Sequence, residues 1–478
     1  MPTEPLRLSR LDAGVTEGLP TPRRYFAIAA VSFGTALVVI DGAIPSVALP
    51  TLARDLNVSG SEAVLVVTIY QLVLVMTLLP FSALGDRVGH RRLYQLGQLV
   101  FTIASLLCFF ARSLPFLLVV RAAQALGAGA ALSVSSALVR AIYPPRQLGR
   151  GLGVNSVVVS ISAAVAPTVG GFILAFGSWP WVFASAIPFA ILSLVLGRHL
   201  PEPEAHAQDF DMLAAMLCAA TFGLVISGLE SLVHGSSPVV SSAIVATGLL
   251  IGFFFVRREA GEARPIMPVD LLARPVFALS TLGAFTAFIA SMSLILSLPF
   301  RLEHVYGFSP SAVGALIAPW PVTTMFVAPA AGALSDRVPA GLLGGIGMAV
   351  AVAALLLLAW LPAHPGYATI AWRMALCGAG FGLFLSPNAR LIIGSAPRDR
   401  AASAGGLIST TRLTGQTLGA TLIAALLALG DGSGPLPALV AAGLALVAGL
   451  CSLARLNPAV RRPEKGEARS HQPAVQLH

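Results

Sequence analysis

Apolar residues in this chain run in long, nearly unbroken stretches, without the alternation of a half-buried strand or the one-sided stripe of a surface helix. Short stretches rich in Arg, Gly, Pro, Asp and Ser separate them. A helix needs about 20 apolar residues to cross the hydrocarbon of a bilayer. On that measure fourteen segments are predicted to span. Those in the first part of the chain are Tyr25–Leu49, Glu62–Leu84, Leu93–Ala111, Pro115–Val139, Gly151–Ala175 and Trp181–Leu196. Met212–Glu230 and Val239–Val256 follow, and then Val276–Phe300, Ala312–Leu334, Leu342–Leu361, Ala368–Ala389, Ala402–Leu429 and Leu436–Leu453. Tyr25–Leu49 is too long for a signal-peptide core and is read as a retained first span.

An even number of spans puts both termini on one side. The tails and the loops facing the same way carry 24 of the 30 basic residues. The opposite loops carry Arg54, Arg112 and Arg301, and Arg121, Arg373 and Arg412 fall within spans. The positive-inside rule then predicts that both termini are cytoplasmic; the membrane itself is read as a bacterial inner membrane.

Composition agrees: 56% of residues are hydrophobic and 11% charged, with a mean hydropathy of +0.84. Soluble domains carry about 25% charged residues. The net charge of +9 is accounted for by loop arginines and is no nucleic-acid footprint. Cys108, Cys218, Cys377 and Cys451 lie in apolar runs with no CxxC pair and read as reduced packing residues. The only lysine, Lys465, is followed by Gly466, so no phosphate-binding Gly-Lys-Ser/Thr loop exists. The eight histidines are scattered, which argues against a metal site, and no insertion is long enough for an enzyme domain. No cofactor is expected, and the chain is not expected to be an enzyme.

An internal repeat organises the spans. Ser82-Ala-Leu-Gly-Asp-Arg-Val-Gly89 returns 250 positions later as Gly332-Ala-Leu-Ser-Asp-Arg-Val-Pro339. The same register pairs Ser59 with Ser309, Ser61 with Ser311, Arg140 with Arg390 and Arg150 with Arg400. Arg121 pairs with Arg373 after a slip of two. Met212–Glu230 and Val239–Val256 have no counterpart and read as an inserted hairpin. The predicted domains are a tail at 1–24, a six-helix bundle at 25–198, the hairpin and its flanking loops at 199–275, a second bundle at 276–455, and a tail at 456–478 expected to be disordered. Parallel halves of this kind suit alternating access by rocking.

Four motifs sit on this frame. Leu84-Gly-Asp-Arg-Val-Gly-His-Arg-Arg92 closes the second span, where Asp86 is placed to cap or pair with a neighbouring helix and Arg87 and Arg91 to anchor in anionic headgroups. With Gly89 and the repeat copies Asp336 and Arg337, these form a candidate gating loop. The fourth span carries Arg121-Ala-Ala-Gln124 and the fifth Ser162-Ala-Ala-Val-Ala-Pro-Thr-Val-Gly-Gly171. In the latter the small residues Ser162, Ala166, Gly170 and Gly171 admit close helix contact and Pro167 bends the span. The first span carries Val39-Ile-Asp-Gly-Ala-Ile-Pro-Ser-Val-Ala-Leu-Pro50.

These motifs resemble those of the major facilitator superfamily. The loop is similar to its G-x-L-x-D-R-x-G-R-R signature, with Ser82 for the opening Gly and His90 for a basic residue. Arg121–Gln124 is similar to its R-x-x-Q-G motif, with Ala125 for the Gly. The fifth span resembles the antiporter motif G-x-x-x-G-P-x-x-G-G of drug exporters, with Ser162 and Ala166 in place of two glycines. The first span and the hairpin resemble the fourteen-helix drug:proton antiporter branch, whose N-V-A-L-P signature has Ser46 here for Asn. The resemblance covers nearly the whole chain. It implies an all-α integral membrane protein of the major-facilitator fold: two six-helix bundles, an inserted two-helix hairpin and fourteen transmembrane helices.

Charge inside the membrane marks candidate function, because it is costly unless paired or wet. Asp41 is the one acid well inside a predicted span, and its repeat partner is Ser291. It lies nine residues before Pro50, about 13 Å of helix, and Arg121 lies six after Pro115, about 9 Å. Both therefore fall at similar depth in the outer half, where they are expected to meet. Burial and a nearby cation act on a carboxyl in opposite senses, so motion between states can load and release a proton. Asp41 and Arg121 are the candidate coupling pair. Tyr70, Gln71, Gln124, Trp320, Arg373 and Arg412 are candidate cavity residues, the aromatic ones as stacking faces, and each also has a reading as plain packing. Glu230, at the outer end of the hairpin, is expected to snorkel into the interface, which leaves the hairpin peripheral.

The expected function is proton-coupled export of small amphipathic drugs or toxic compounds by alternating access. Protons and the lipid bilayer are the other partners, no nucleic acid is bound, and the chain is expected to act as a monomer. Uptake or exchange of a specific metabolite on the same fold is the alternative, since the antiporter motif is altered. A sensor that moves nothing is a further one, opposed by the buried carboxylate.

Overall fold

In the computed structural model the described residues are 18–144, 148–201, 211–260, 269–395 and 401–457. Side chains at 148–157, 160, 163–164, 269–270 and 401–405 are not described. Arg400 and most of both tails lie outside these ranges, as does the Arg150 side chain.

Regular structure among the described residues is helical throughout. The chain divides into two compact units, 1–223 and 224–478. The first contains α1 (Arg23–Ala43), α2 (Pro45–Asp55), α3 (Gly60–Val88), α4 (His90–Phe109), α5 (Leu114–Ile142), α6 (Leu148–Phe176), α7 (Pro180–Ala184) and α8 (Ile187–Leu196). The boundary falls inside α9 (Met212–Val233). The second contains α10 (Pro238–Glu259), α11 (Pro275–His304), α12 (Pro310–Ile317), α13 (Pro319–Leu334), α14 (Ala340–Ala359), α15 (Tyr367–Ser395), α16 (Ala401–Ala428) and α17 (Leu436–Ala454).

Twelve helical stretches among the described residues are long and apolar enough to cross a membrane. The remaining two predicted spans coincide with α6 and α16, parts of which have undescribed side chains. Large apolar side chains stay exposed on these helices, among them Val119, Phe172, Val239, Leu249, Phe254 and Phe326. In water such patches would drive association. In hydrocarbon they meet solvent of their own kind.

Three predicted spans are each two helices. Tyr25–Leu49 breaks at Ile44, Trp181–Leu196 at Ala186 and Ala312–Leu334 at Ala318. A proline in the first turn of each second helix explains the break, because it lacks an N–H and crowds the carbonyl four residues back. Pro45 does this to Asp41, and the Ser46 hydroxyl donates to the Ala43 carbonyl at 2.6 Å.

The repeat has a packing counterpart. A Cβ added at Gly97 would lie 2.6 Å from the Gly127 carbonyl oxygen, where α4 crosses α5. At Gly347, 250 positions on, it would lie 2.7 Å from the Gly380 oxygen, where α14 crosses α15. Ser59 and Ser309 are both helix N-caps, accepting from the Glu62 and Ala312 amides. Gly89, by contrast, holds φ 104°, which Pro339 in the other copy cannot adopt.

Two expectations are overturned. Arg301 is no outer-loop residue: it sits in the last turn of α11, buried, donating to the Leu358 and Ala359 carbonyls at 2.8 and 2.9 Å. Those carbonyls end α14 without helical donors, and a guanidinium supplies two at once. Glu230 does not snorkel. It is buried on α9 and accepts a 2.5 Å hydrogen bond from Thr421 on α16, a donor that burial makes more valuable than an interfacial position.

Candidate functional site

The Pro45 break follows Asp41 by one helical turn, and Asp41 is the centre of a buried polar cluster in the first unit. Arg121 and Gln124, three residues apart on α5, share a face toward it. The Arg121 Nη1 donates to Asp41 Oδ2 at 2.7 Å and to Gln124 Oε1 at 2.6 Å. The Gln124 Nε2 donates to Asp41 Oδ1 at 3.0 Å and to the Ser105 hydroxyl on α4 at 2.8 Å. The Arg121 Nε reaches the Val66 carbonyl on α3 at 3.3 Å. The guanidinium is roofed by two rings, Tyr70 at 4.2 Å and Phe183 at 5.1 Å. Asp41, Tyr70, Arg121 and Gln124 are all buried.

Each contact has an electrostatic reason. Both carboxylate oxygens hold a donor, and the cation has oxygens in its plane and π-faces across it. Such a pair persists in an apolar interior only with that degree of satisfaction, and it is vulnerable to loss of either member.

The small-residue motif lies beside this cluster. Ser162, Ala166, Pro167, Gly170 and Gly171 on α6 are all buried. A Cβ at Gly170 would stand 3.1 Å from the Ile44 Cγ2, at the break itself. Ile44, Ala48, Ala166 and Val182 form one apolar cluster there. Displacement of α6 would therefore be felt three residues from Asp41. A cavity of about 480 Å³ opens among α1, α6 and α8, lined by residues including Ile28, Phe33, Ile161, Ser162 and Phe189. Its size falls in the range of roughly 300–1,000 Å³ usual for small-ligand sites.

In the candidate gating loops both acids, Asp86 and Asp336, are exposed, and their partners differ between copies. Asp86 Oδ1 lies 2.9 Å from His90 Nε2, at the start of α4. Asp336 pairs instead with Arg390 on α15, and Arg390 also donates to the Gly332 carbonyl. Arg91 donates to the Arg198 carbonyl at 3.0 Å. Gly89 is buried between α3 and α4, and Arg87 and Arg337 are exposed.

Several predicted cavity residues sit elsewhere than on an open wall. Tyr70 and Gln124 belong to the Asp41 cluster, and Gln71 is buried with its Oε1 unbonded. Trp320 is buried against Phe381, ring centroids 5.0 Å apart, where α13 meets α15. Arg373 and Arg412 are partly exposed in the second unit. Sequence reasoning missed Ser105, Phe183 and the Val66 carbonyl, because a serine, a phenylalanine and a backbone oxygen carry no signal within apolar runs. It also missed Arg455, which is buried and donates to Asn388, Ser280 and Ser452, tying α11, α15 and α17 together.

Comparison with known proteins gives this arrangement a context. A family model described as Major Facilitator Superfamily matches residues 31–420. The chain is 44% identical over 445 residues to the uncharacterized transporter YebQ of Escherichia coli, covering 92% of this chain and 97% of that one. It is 29% identical to the riboflavin transporter RibZ of Clostridioides difficile, covering 83% and 87%. It is 31% identical to the methyl viologen resistance protein SmvA of Salmonella typhimurium, covering 82% and 80%. A solved bacterial homolog of the human lysosomal transporter Spinster superposes with a TM-score of 0.67 at 19% identity, covering 93% of this chain and all of that one.

Proposed function

The chain belongs to the Major Facilitator Superfamily, and from that premise we propose that it exports small amphipathic compounds in exchange for protons. It is a multi-pass membrane transporter and not an enzyme. The finer reading is a monomer of fourteen spans in a bacterial inner membrane with cytoplasmic termini, working by alternating access.

The observation that carries the proposal is the buried Asp41 carboxylate, held between Arg121 and Gln124 beside a helix break. Protonation would cancel the negative partner of Arg121 and loosen its hold on α1. Because α6 packs on the break, proton occupancy and helix position are linked through Ile44 and Gly170. Asp86 and Asp336 take the gating role, each tethering a loop whose release accompanies the change of state. The relative named for methyl viologen resistance supports export of a small organic compound, and the apolar cavity beside Ser162 supports an amphipathic one. Uptake or exchange of one metabolite is the second reading, favoured by the likeness to a protein named as a riboflavin transporter.

Proton-gradient-driven efflux from proteoliposomes tests the coupling. Asp41→Asn is expected to abolish uphill export and to spare downhill exchange, because the amide imitates the protonated acid. Uphill pumping by Asp41→Asn at the wild-type rate would falsify the coupling role.

A further inference from the structure

The two units treat their intramembrane arginines differently. In the first, Arg121 is neutralised by Asp41. In the second, the position equivalent to Asp41 is Ser291, whose hydroxyl donates to the Phe288 carbonyl of its own helix. The arginine equivalent to Arg121 is Arg373, six residues or about 9 Å into α15. Its Nε and Nη1 atoms are buried with no hydrogen-bond partner. Among the described residues the neighbouring Trp372 ring, 5.4 Å from the guanidinium carbon, is the group that addresses it.

A second cation lies deeper. Arg412 is eleven residues, about 16 Å, into α16, so that the helix extends well beyond it on both sides. It forms no ion pair or hydrogen bond with the described residues. It is partly exposed, as are Ser409, Thr414 and Gln416, whereas Thr410, Thr411, Leu413 and Gly415 are buried. Spacings of three and four residues put Ser409, Arg412 and Gln416 in one stripe. A polar stripe with an arginine at mid-span calls for water or a counter-ion beside it, since bare hydrocarbon costs several kcal/mol.

The described acids of the second unit are placed elsewhere. Glu230 is bonded to Thr421, Asp336 to Arg390, Glu259 and Glu303 stand at helix ends, and Asp431 is exposed past the end of α16. Among the described residues, then, neither of these partly exposed cations has a protein counter-charge, and charge inside a membrane calls for a partner of opposite sign.

We propose that the transported compound is an amphipathic organic anion, whose carboxylate, sulfonate or phosphate supplies the counter-charge to Arg412 and Arg373. This rests on the chain moving an amphipathic compound, but not on proton coupling. Two arginines at different depths give the anion successive stations, each weak enough to release it because only one cation is engaged at a time.

The test uses the full chain in phosphatidylcholine vesicles, which hold no anionic headgroups to mask the arginines. Probes come in sign-matched pairs, beginning with naphthalene-1-acetate and (1-naphthylmethyl)trimethylammonium. The expected result is transport of the anions at least tenfold faster than the cations. Arg412→Gln and Arg373→Gln should each slow the anions tenfold or more while remaining monodisperse, and Arg412→Lys should restore part of the loss. Equal or preferred transport of the cations by the wild type overturns the proposal, whether or not the variants fold. So does anion transport by both glutamine variants within twofold of wild type. Anion transport that needs Arg412 but ignores a proton gradient would sustain this inference and sink the coupling reading instead.

Discussion

The buried pair is open to a thermodynamic test that does not depend on knowing the substrate. Arg121→Met removes the cation and leaves Asp41 only the 3.0 Å bond from Gln124. Stripping a buried ion pair of one partner costs about 3–5 kcal/mol. Asp41→Asn is expected to be milder. Arg121 stays charged without its carboxylate, but it keeps the Gln124 and Val66 oxygens and two ring faces, so the loss falls at the lower end of that range. The double variant removes both charges and should lose much less than the sum, with a coupling energy approaching about 3 kcal/mol. Reversible unfolding in mixed detergent–dodecyl sulfate micelles measures all three differences. A single hydrogen bond between membrane helices averages only about 0.6 kcal/mol in such cycles. A coupling at or below that figure, or an Asp41→Asn loss exceeding that of Arg121→Met, would refute this account of the site.

Two other outcomes follow from the geometry. Gly170→Val should sharply reduce turnover while Gly170→Ala is tolerated more nearly, because the Ile44 side chain must give a few tenths of an ångström for a first carbon and has no room for two more; substrate efflux with both proteins at equal expression measures this, and full activity of the valine variant would remove α6 from the coupling path. Asp86→Asn and Asp336→Asn should change stability by less than about 1 kcal/mol, as both residues are exposed, yet slow substrate exchange severalfold with binding intact. Lost binding, or unfolding, would reduce these loops to packing.

Much of the architecture was legible along the chain, because a bilayer asks for something simple. Every span must be long, apolar and helical to satisfy its own backbone, and arginine placement then gives an orientation. The repeat was visible because Asp86 and Asp336 recur in the same words, and Asp41 and Arg121 because charge in such a run is rare. What the tertiary structure alone decided is where each polar side chain finds its partner. Nothing in the sequence separates Arg301, which closes the end of α14, from an outer-loop arginine, or tells a snorkelling Glu230 from one bonded to Thr421. Tyr70 and Gln124 read as cavity residues until the fold put them around Arg121. Depth along a helix follows from counting at 1.5 Å per residue. Which neighbour stands at that depth, and on which side, depends on how helices far apart in sequence cross. Glycine contacts such as Gly97 with Gly127 set those crossings, and they are properties of two helices at once.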